Sequence, residues 1–123
     1  MRGLGVDVIS VSRIADAVSR HGDRFLERCF RPDEIALARR RGAAGAQALA
    51  GRWAAKEAFV KAVGAKPGAF GYRDVEVVSG SDGVPALKLH GAAAAALAAL
   101  GGERTMLSLS HERETAVAVV VVP

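Results

Sequence analysis

At 123 residues, with half of them hydrophobic, 24% charged and a formal net charge of +4, the chain has the size and apolar content of one folded domain. That composition excludes global disorder. The single cysteine, Cys29, excludes an internal disulfide framework and a cysteine-built zinc site, and it fits a reducing, cytoplasmic setting. Thirteen of the seventeen basic residues are arginine, and residues 1–41 carry most of the positive excess, a bias toward forked recognition of carboxylate or phosphate.

In chain order, Leu4, Val6 and Val8 alternate with Gly5, Asp7 and Ile9, the period-two pattern of a strand with both faces largely covered. Asp7 interrupts an apolar run that leads into Arg13, which is not the order of a secretion signal. Ser10 or Ser12 caps a helix in which Ile14, Ala17, Val18 and His21 recur at helical spacing, ended by Gly22. A short helix over 24–30 follows. Another starts at Arg31-Pro32-Asp33-Glu34, with proline in the first turn and acids at the positive end of the helix dipole, and runs to about Arg41.

From about 47 to 63 strong helix formers predict the longest helix, interrupted only by Gly51. Gly64, Pro67, Gly68 and Gly71 break the chain. A strand over 74–78, a turn over 79–83 and a short strand over 86–89 follow. The alanine-rich stretch 91–100 is helical and stops at Gly101-Gly102. Two last strands, 106–110 and 115–122, form a hairpin through 111–114. The apolar runs 92–100 and 116–123 fall far short of the roughly 20 residues that a membrane-spanning helix needs, so no membrane partner is expected.

Three places carry chemistry. Asp7 puts a carboxylate in an apolar strand, a costly arrangement unless a cation, an arginine or backbone donors compensate it. Arg52, Lys56, Glu57 and Lys61 crowd one stretch of a helix whose frame of Ala54, Ala55, Ala58, Phe59, Ala62 and Val63 is that of a packed helix, so its charges should face a cleft. The plainer reading is a solvated Glu57–Lys61 pair contributing a few tenths of a kcal/mol. His111 ends a strand on the face of Leu107 and Leu109, opposite Ser108 and Ser110; it is either a turn residue or a group that accepts protons and binds phosphate near neutral pH. His21 and His90 have no comparable setting, and Cys29 reads as core.

A carboxylate from the first strand and another from the long helix, with lysine and histidine nearby, suit a hard divalent cation holding a phosphorylated substrate, since Mg²⁺ takes one or two protein carboxylates and fills its shell with water and phosphate oxygens. No phosphate loop or Gly-x-Gly-x-x-Gly motif is present.

Gly5-Val6-Asp7-Val8-Ile9 with Arg13-Ile14, then Arg52-Trp53-Ala54-Ala55-Lys56-Glu57-Ala58-Phe59-Val60-Lys61-Ala62, then Ser110-His111 before an Ala/Val strand, together resemble the bacterial holo-[acyl-carrier-protein] synthases, the small 4′-phosphopantetheinyl transferases. The resemblance spans nearly the whole chain, with one departure at Val60, where the family often has a small polar residue. It implies an α+β fold, a small antiparallel sheet packed against a long helix and several short ones, assembled as a homotrimer with Ala116–Val122 near its centre. It implies transfer of the phosphopantetheine arm of coenzyme A to a serine of acyl carrier protein, leaving adenosine 3′,5′-bisphosphate.

Carried onto this sequence, the resemblance makes Asp7 and Glu57 the Mg²⁺ ligands and Lys61 a phosphate contact. Arg52, Lys56, Gly64, Gly83, Pro85, Ser110 and His111 would lie along the coenzyme A groove between subunits. Arg39, Arg40 and Arg41 are candidates for the nucleotide 3′-phosphate. Arg13, Arg20 and Arg24, with Phe25 as apolar anchor, would dock the acidic carrier protein. The base that takes the serine proton stays open among His111, Glu112 and a metal-held water. Two rivals remain, a nucleic-acid-binding module and a non-catalytic scaffold for acidic proteins. The first is disfavoured by the modest net charge and by only six aromatic residues.

Overall fold

Two glycines decide how the largest elements meet. In the computed structural model, which describes residues 1–123, the first strand β1 (Gly3–Ser10) runs directly beneath the central helix α4 (Gly45–Ala62). A Cβ on Gly3 would collide with the Ala62 carbonyl and one on Gly5 with the Ala58 carbonyl. Only glycine lets the helix backbone press this closely onto a strand.

Between β1 and α4 come α1 (Val11–His21), α2 (Asp23–Cys29) and α3 (Pro32–Arg40); after α4 follow β2 (Val75–Ser79), β3 (Pro85–Leu89), α5 (Gly91–Ala99), β4 (Met106–His111) and β5 (Thr115–Val122). All the expected elements are present. The long helix starts two residues earlier than its composition suggested, because the short 3₁₀ turn Gly42–Ala44 leads straight into it. It is buried on nearly all sides, from Ala48 through Ala62, so it forms the axis of the core, joined there by Phe30, Ile9, Ile14, Val75 and alternate residues of β5.

Instead of the single sheet expected, there are two. One has the order β1-β5-β4, all antiparallel, and the other is the β2-β3 hairpin. The outer edge of β2 is occupied not by a strand but by a buried ion pair: Lys56 Nζ donates to the Val75 carbonyl at 2.6 Å, and the Val77 N–H donates to Glu34 Oε2 at 3.2 Å. Side chains from α4 and α3 thus satisfy the backbone groups that a neighbouring strand would otherwise take.

A second correction concerns β1. Leu4, Val6 and Val8 are more than half exposed, while Gly5 and Ile9 are buried and Gly3 and Asp7 partly so. The strand therefore has one covered face, toward α4, and one open apolar face. In register with Leu4, Val6 and Val8 stand Val121, Val119 and Val117 of β5, with Met106, Ser108 and Ser110 beyond them on β4. This broad sheet face has no partner within the chain.

Candidate active site

The C-terminal half of α4 and the middle of β1 meet because β1 runs antiparallel to the helix, so Asp7 arrives one turn from Glu57 and Lys61. Lys61 Nζ donates to the Val6 carbonyl at 2.9 Å and to Asp7 Oδ1 at 3.2 Å. The Asp7 side chain is only 16% exposed and that of Lys61 54%, so the ammonium sits at the mouth of the site with the carboxylate behind it. Burial raises the Asp7 pKa above its ordinary value against the opposing pull of Lys61, and the nearby negative charge of Glu57 raises it further. Two carboxylates fifty residues apart in the chain are thus brought into one region, where the charge of one acts on the other.

Glu57 is held from the other side. Its Oε1 accepts a 2.7 Å hydrogen bond from the Tyr72 hydroxyl, and the Tyr72 ring stacks on Trp53 with centroids 4.3 Å apart. The remaining oxygen on each carboxylate, Asp7 Oδ2 and Glu57 Oε2, has no protein partner. A pair of repelling carboxylates with one free oxygen each is the donor set that a hard divalent cation neutralises, and Mg²⁺ fits it. No third acidic, histidine or cysteine ligand joins them, so water and phosphate oxygens would fill the other positions. A cleft of about 400 Å³ opens beside Glu57, walled by Val60, Pro67, Phe70 and Tyr72, with Arg28 at its edge.

Lys56 sits differently from the charged neighbours it was grouped with. Its side chain is buried beneath the cleft, and its ammonium donates to Glu34 Oε1 at 2.9 Å, the Tyr72 carbonyl at 3.1 Å and the Val75 carbonyl at 2.6 Å. Burial lowers its pKa, with Glu34 opposing. All three of its protons are used inside the protein, under the cleft that its side chain helps to line. Arg52 is also buried; it donates to the Ala48 carbonyl at 3.3 Å while its Nε has no partner. Burial lowers its pKa, and the charge of Arg41 lies near enough to add to the effect. Arg39 is paired with Asp23 at 3.0 Å on the surface.

His111 lies elsewhere. It pairs through Ala116 with Ile9, whereas Asp7 pairs through Ala118 with Leu109. Two strand spacings and two residues along the strand separate the His111 and Asp7 backbones by roughly 12 Å. Ser110 points to the opposite, open face, in line with Val117 and Val8. Gly64 follows α4 with φ +68° and Gly83 has φ +81° in the β2–β3 turn, just before Pro85. Neither Gly83, Pro85, Ser110 nor His111 lines the cleft beside Glu57 in one chain. The sequence offered no local signal for two residues that shape the site, Tyr72 and Glu34, although Glu34 was placed in the first turn of α3; its carboxylate also accepts the Arg31 N–H at 2.9 Å.

Four basic residues of the first third, Arg13, Arg20, Arg24 and Arg28, line adjoining depressions. Arg13 and Arg20 flank a shallow depression with His21, and Arg24 and Phe25 flank a second that also includes His21. Arg28 belongs to both this second depression and the Glu57 cleft, so the basic surface leads into the site. No helix is long and apolar enough to cross a membrane.

The sheet-and-helix frame has known counterparts. A family model of the 4′-phosphopantetheinyl transferase superfamily matches residues 3–120, and the chain belongs to that superfamily. A holo-[acyl-carrier-protein] synthase of Nitratidesulfovibrio vulgaris strain Hildenborough is 49% identical over 121 residues, covering 97% of this chain and 95% of the relative. One from Halorhodospira halophila is 48% identical over 120 residues, covering 97% and 94%. The crystal structure of holo-[acyl-carrier-protein] synthase from Neisseria meningitidis shares the fold with a TM-score of 0.88 at 34% identity, over 100% of this chain and 98% of that one. The Helicobacter pylori synthase in complex with coenzyme A gives 0.82 at 29% identity, over 98% and 99%. The chain is an enzyme of the holo-[acyl-carrier-protein] synthase kind.

Proposed function

We propose that this enzyme moves the 4′-phosphopantetheine arm of coenzyme A onto a serine hydroxyl of an apo acyl carrier protein in a Mg²⁺-dependent reaction and releases adenosine 3′,5′-bisphosphate. The observation that carries the reading is that Asp7, bonded to Lys61, lies near enough to Glu57 for the two charges to interact, while Glu57 also lines a cleft. In the transfer the serine oxygen forms a bond to the phosphorus of the arm, the bond from that phosphorus to the nucleotide phosphate oxygen breaks to release adenosine 3′,5′-bisphosphate, and the serine proton passes to a base, His111, Glu112 or a water. Asp7 Oδ2 and Glu57 Oε2 would hold Mg²⁺, which supplies positive charge for the diphosphate oxygens when bound. Lys61, half exposed and tethered only through Asp7 and the Val6 carbonyl, is free to swing to a phosphate oxygen and offset the charge that builds on the leaving group. Transfer of this kind asks for positioning and fixed cations and needs no covalent protein intermediate.

Homotrimeric assembly completes the site. The open apolar face of Leu4, Val6, Val8 and Met106 supports burial against further copies of the chain, and the separation of His111 from Asp7 within one chain supports a groove to which two subunits contribute. Arg52, with its unpartnered Nε and Arg41 beside it, is the pair best placed to receive the 3′-phosphate. Lys56 would act on coenzyme A through the cleft wall it anchors. Arg13, Arg20, Arg24 and Phe25 would receive the acidic carrier. The test is incubation with an apo carrier protein, coenzyme A and Mg²⁺. The carrier gains one phosphopantetheine mass, and EDTA prevents the gain; an unchanged carrier would overturn the reading.

A further inference from the structure

We propose that Tyr72 is a positioning residue of the transfer site: its hydroxyl fixes the conformation of Glu57, reserving the second carboxylate oxygen, Oε2, for a divalent cation. The proposal rests on the reading of Glu57 as a cation ligand and goes beyond it in naming what orients that ligand.

A glutamate has three side-chain torsions to fix, and Glu57 is only half buried on α4, with no other hydrogen-bonding partner than Tyr72. Left free, the carboxylate would lose rotamer entropy each time it took up a cation. The 2.7 Å bond from the Tyr72 hydroxyl removes part of that loss in advance. The hydroxyl is itself immobilised three ways. Its ring stacks at 4.3 Å on Trp53, one helical turn before Glu57 on the same helix. Its backbone carbonyl accepts from Lys56 Nζ at 3.1 Å, and the carbonyl of the next residue, Arg73, accepts from Arg31 Nε at 2.6 Å. Lys56 in turn is locked to Glu34 in the core. A chain of contacts therefore runs from the buried pair through the Tyr72 backbone and hydroxyl to one oxygen of the ligand.

The direction of the bond is fixed as well. A carboxylate oxygen only accepts, so the Tyr72 hydroxyl is the donor. Carboxylates that bind metals are commonly held by such outer hydrogen bonds, whose loss lowers metal affinity about 10- to 100-fold.

The test is titration of metal-free wild type, Tyr72→Phe and Glu57→Gln with Mn²⁺ alone, free Mn²⁺ being read by electron paramagnetic resonance. Phenylalanine keeps the ring on Trp53 and removes only the hydroxyl. Tyr72→Phe is expected to bind Mn²⁺ about tenfold more weakly, with an unchanged metal-free melting curve and unchanged Trp53 fluorescence. In the transfer assay its half-saturating Mg²⁺ concentration should rise by a similar factor, the lost rate returning at high Mg²⁺, a pattern that a general structural defect does not produce. If Tyr72→Phe binds Mn²⁺ like wild type while Glu57→Gln binds none, the positioning role is wrong and the ligand assignment stands. If Glu57→Gln binds as well as wild type, or wild type binds none, the ligand assignment falls and the role of Tyr72 falls with it.

Discussion

Replacing Lys56 by methionine tests whether the buried pair holds the site together. The substitution keeps an unbranched side chain out to the ε carbon and removes the ammonium. Glu34, whose side chain is wholly buried, then keeps the Arg31 and Val77 N–H donors but loses its counter-charge. Stranding one member of a buried pair costs about 3–5 kcal/mol. The two retained donors pull the cost of the Glu34 charge toward the lower end. Against that, the Val75 carbonyl loses its buried partner, a further cost of about 1–3 kcal/mol, whereas the Tyr72 carbonyl is partly exposed and can take water. The net expectation is about 4 kcal/mol, read by chemical denaturation at fixed protein concentration. The double variant Glu34→Gln/Lys56→Met should recover part of the loss, because the charge left unpaired is gone. A loss below about 1 kcal/mol for Lys56→Met, or strictly additive costs in the double variant, would refute the claim that the pair is a coupled structural unit.

Other expectations follow from the same geometry. Gly5→Ala must push α4 off β1, since its Cβ meets the Ala58 carbonyl; a loss of about 1–3 kcal/mol or more is expected in thermal melts. In metal-free protein the raised pKa of Asp7 means that its ionisation opposes folding: the folded state holds the proton more tightly, so the Asp7 contribution is most favourable below pH 3.8 and is lost as pH rises through the folded value. Asp7→Asn should therefore melt at or above the wild-type temperature at pH 7 while losing transfer activity, and melting curves across pH check this. Val6→Glu, placing charge on the open sheet face, should shift sedimentation from trimer to monomer and abolish coenzyme A binding. On the proposed groove shared between subunits, mixed assemblies of Glu57→Ala and His111→Ala subunits should show more transfer than either variant alone.

Much of this was legible in the sequence because it is local. The Pro32 start, the Gly22 and Gly101 stops and the final hairpin reappear within a residue or two in the structure. The Asp7–Glu57–Lys61 group was visible as charge set in apolar frames. What local pattern could not supply was which face of β1 is covered: Leu4, Val6 and Val8 look like core, yet it is the glycines at 3 and 5 that face α4. Spacing likewise could not tell Lys56 from Lys61. One points into the protein because Glu34, 22 residues away, and the edge of β2 meet it there; the other reaches Asp7. Tyr72 was silent for the same reason, its partner lying 15 residues back across a loop.

Intact-mass measurement of the carrier protein after incubation with coenzyme A, Mg²⁺ and either Asp7→Ala or Glu57→Ala enzyme addresses the core claim most directly. Both variants should fold, by circular dichroism, and leave the carrier mass unchanged while wild type converts it fully. Full conversion by both variants would mean that these two carboxylates do not carry the reaction.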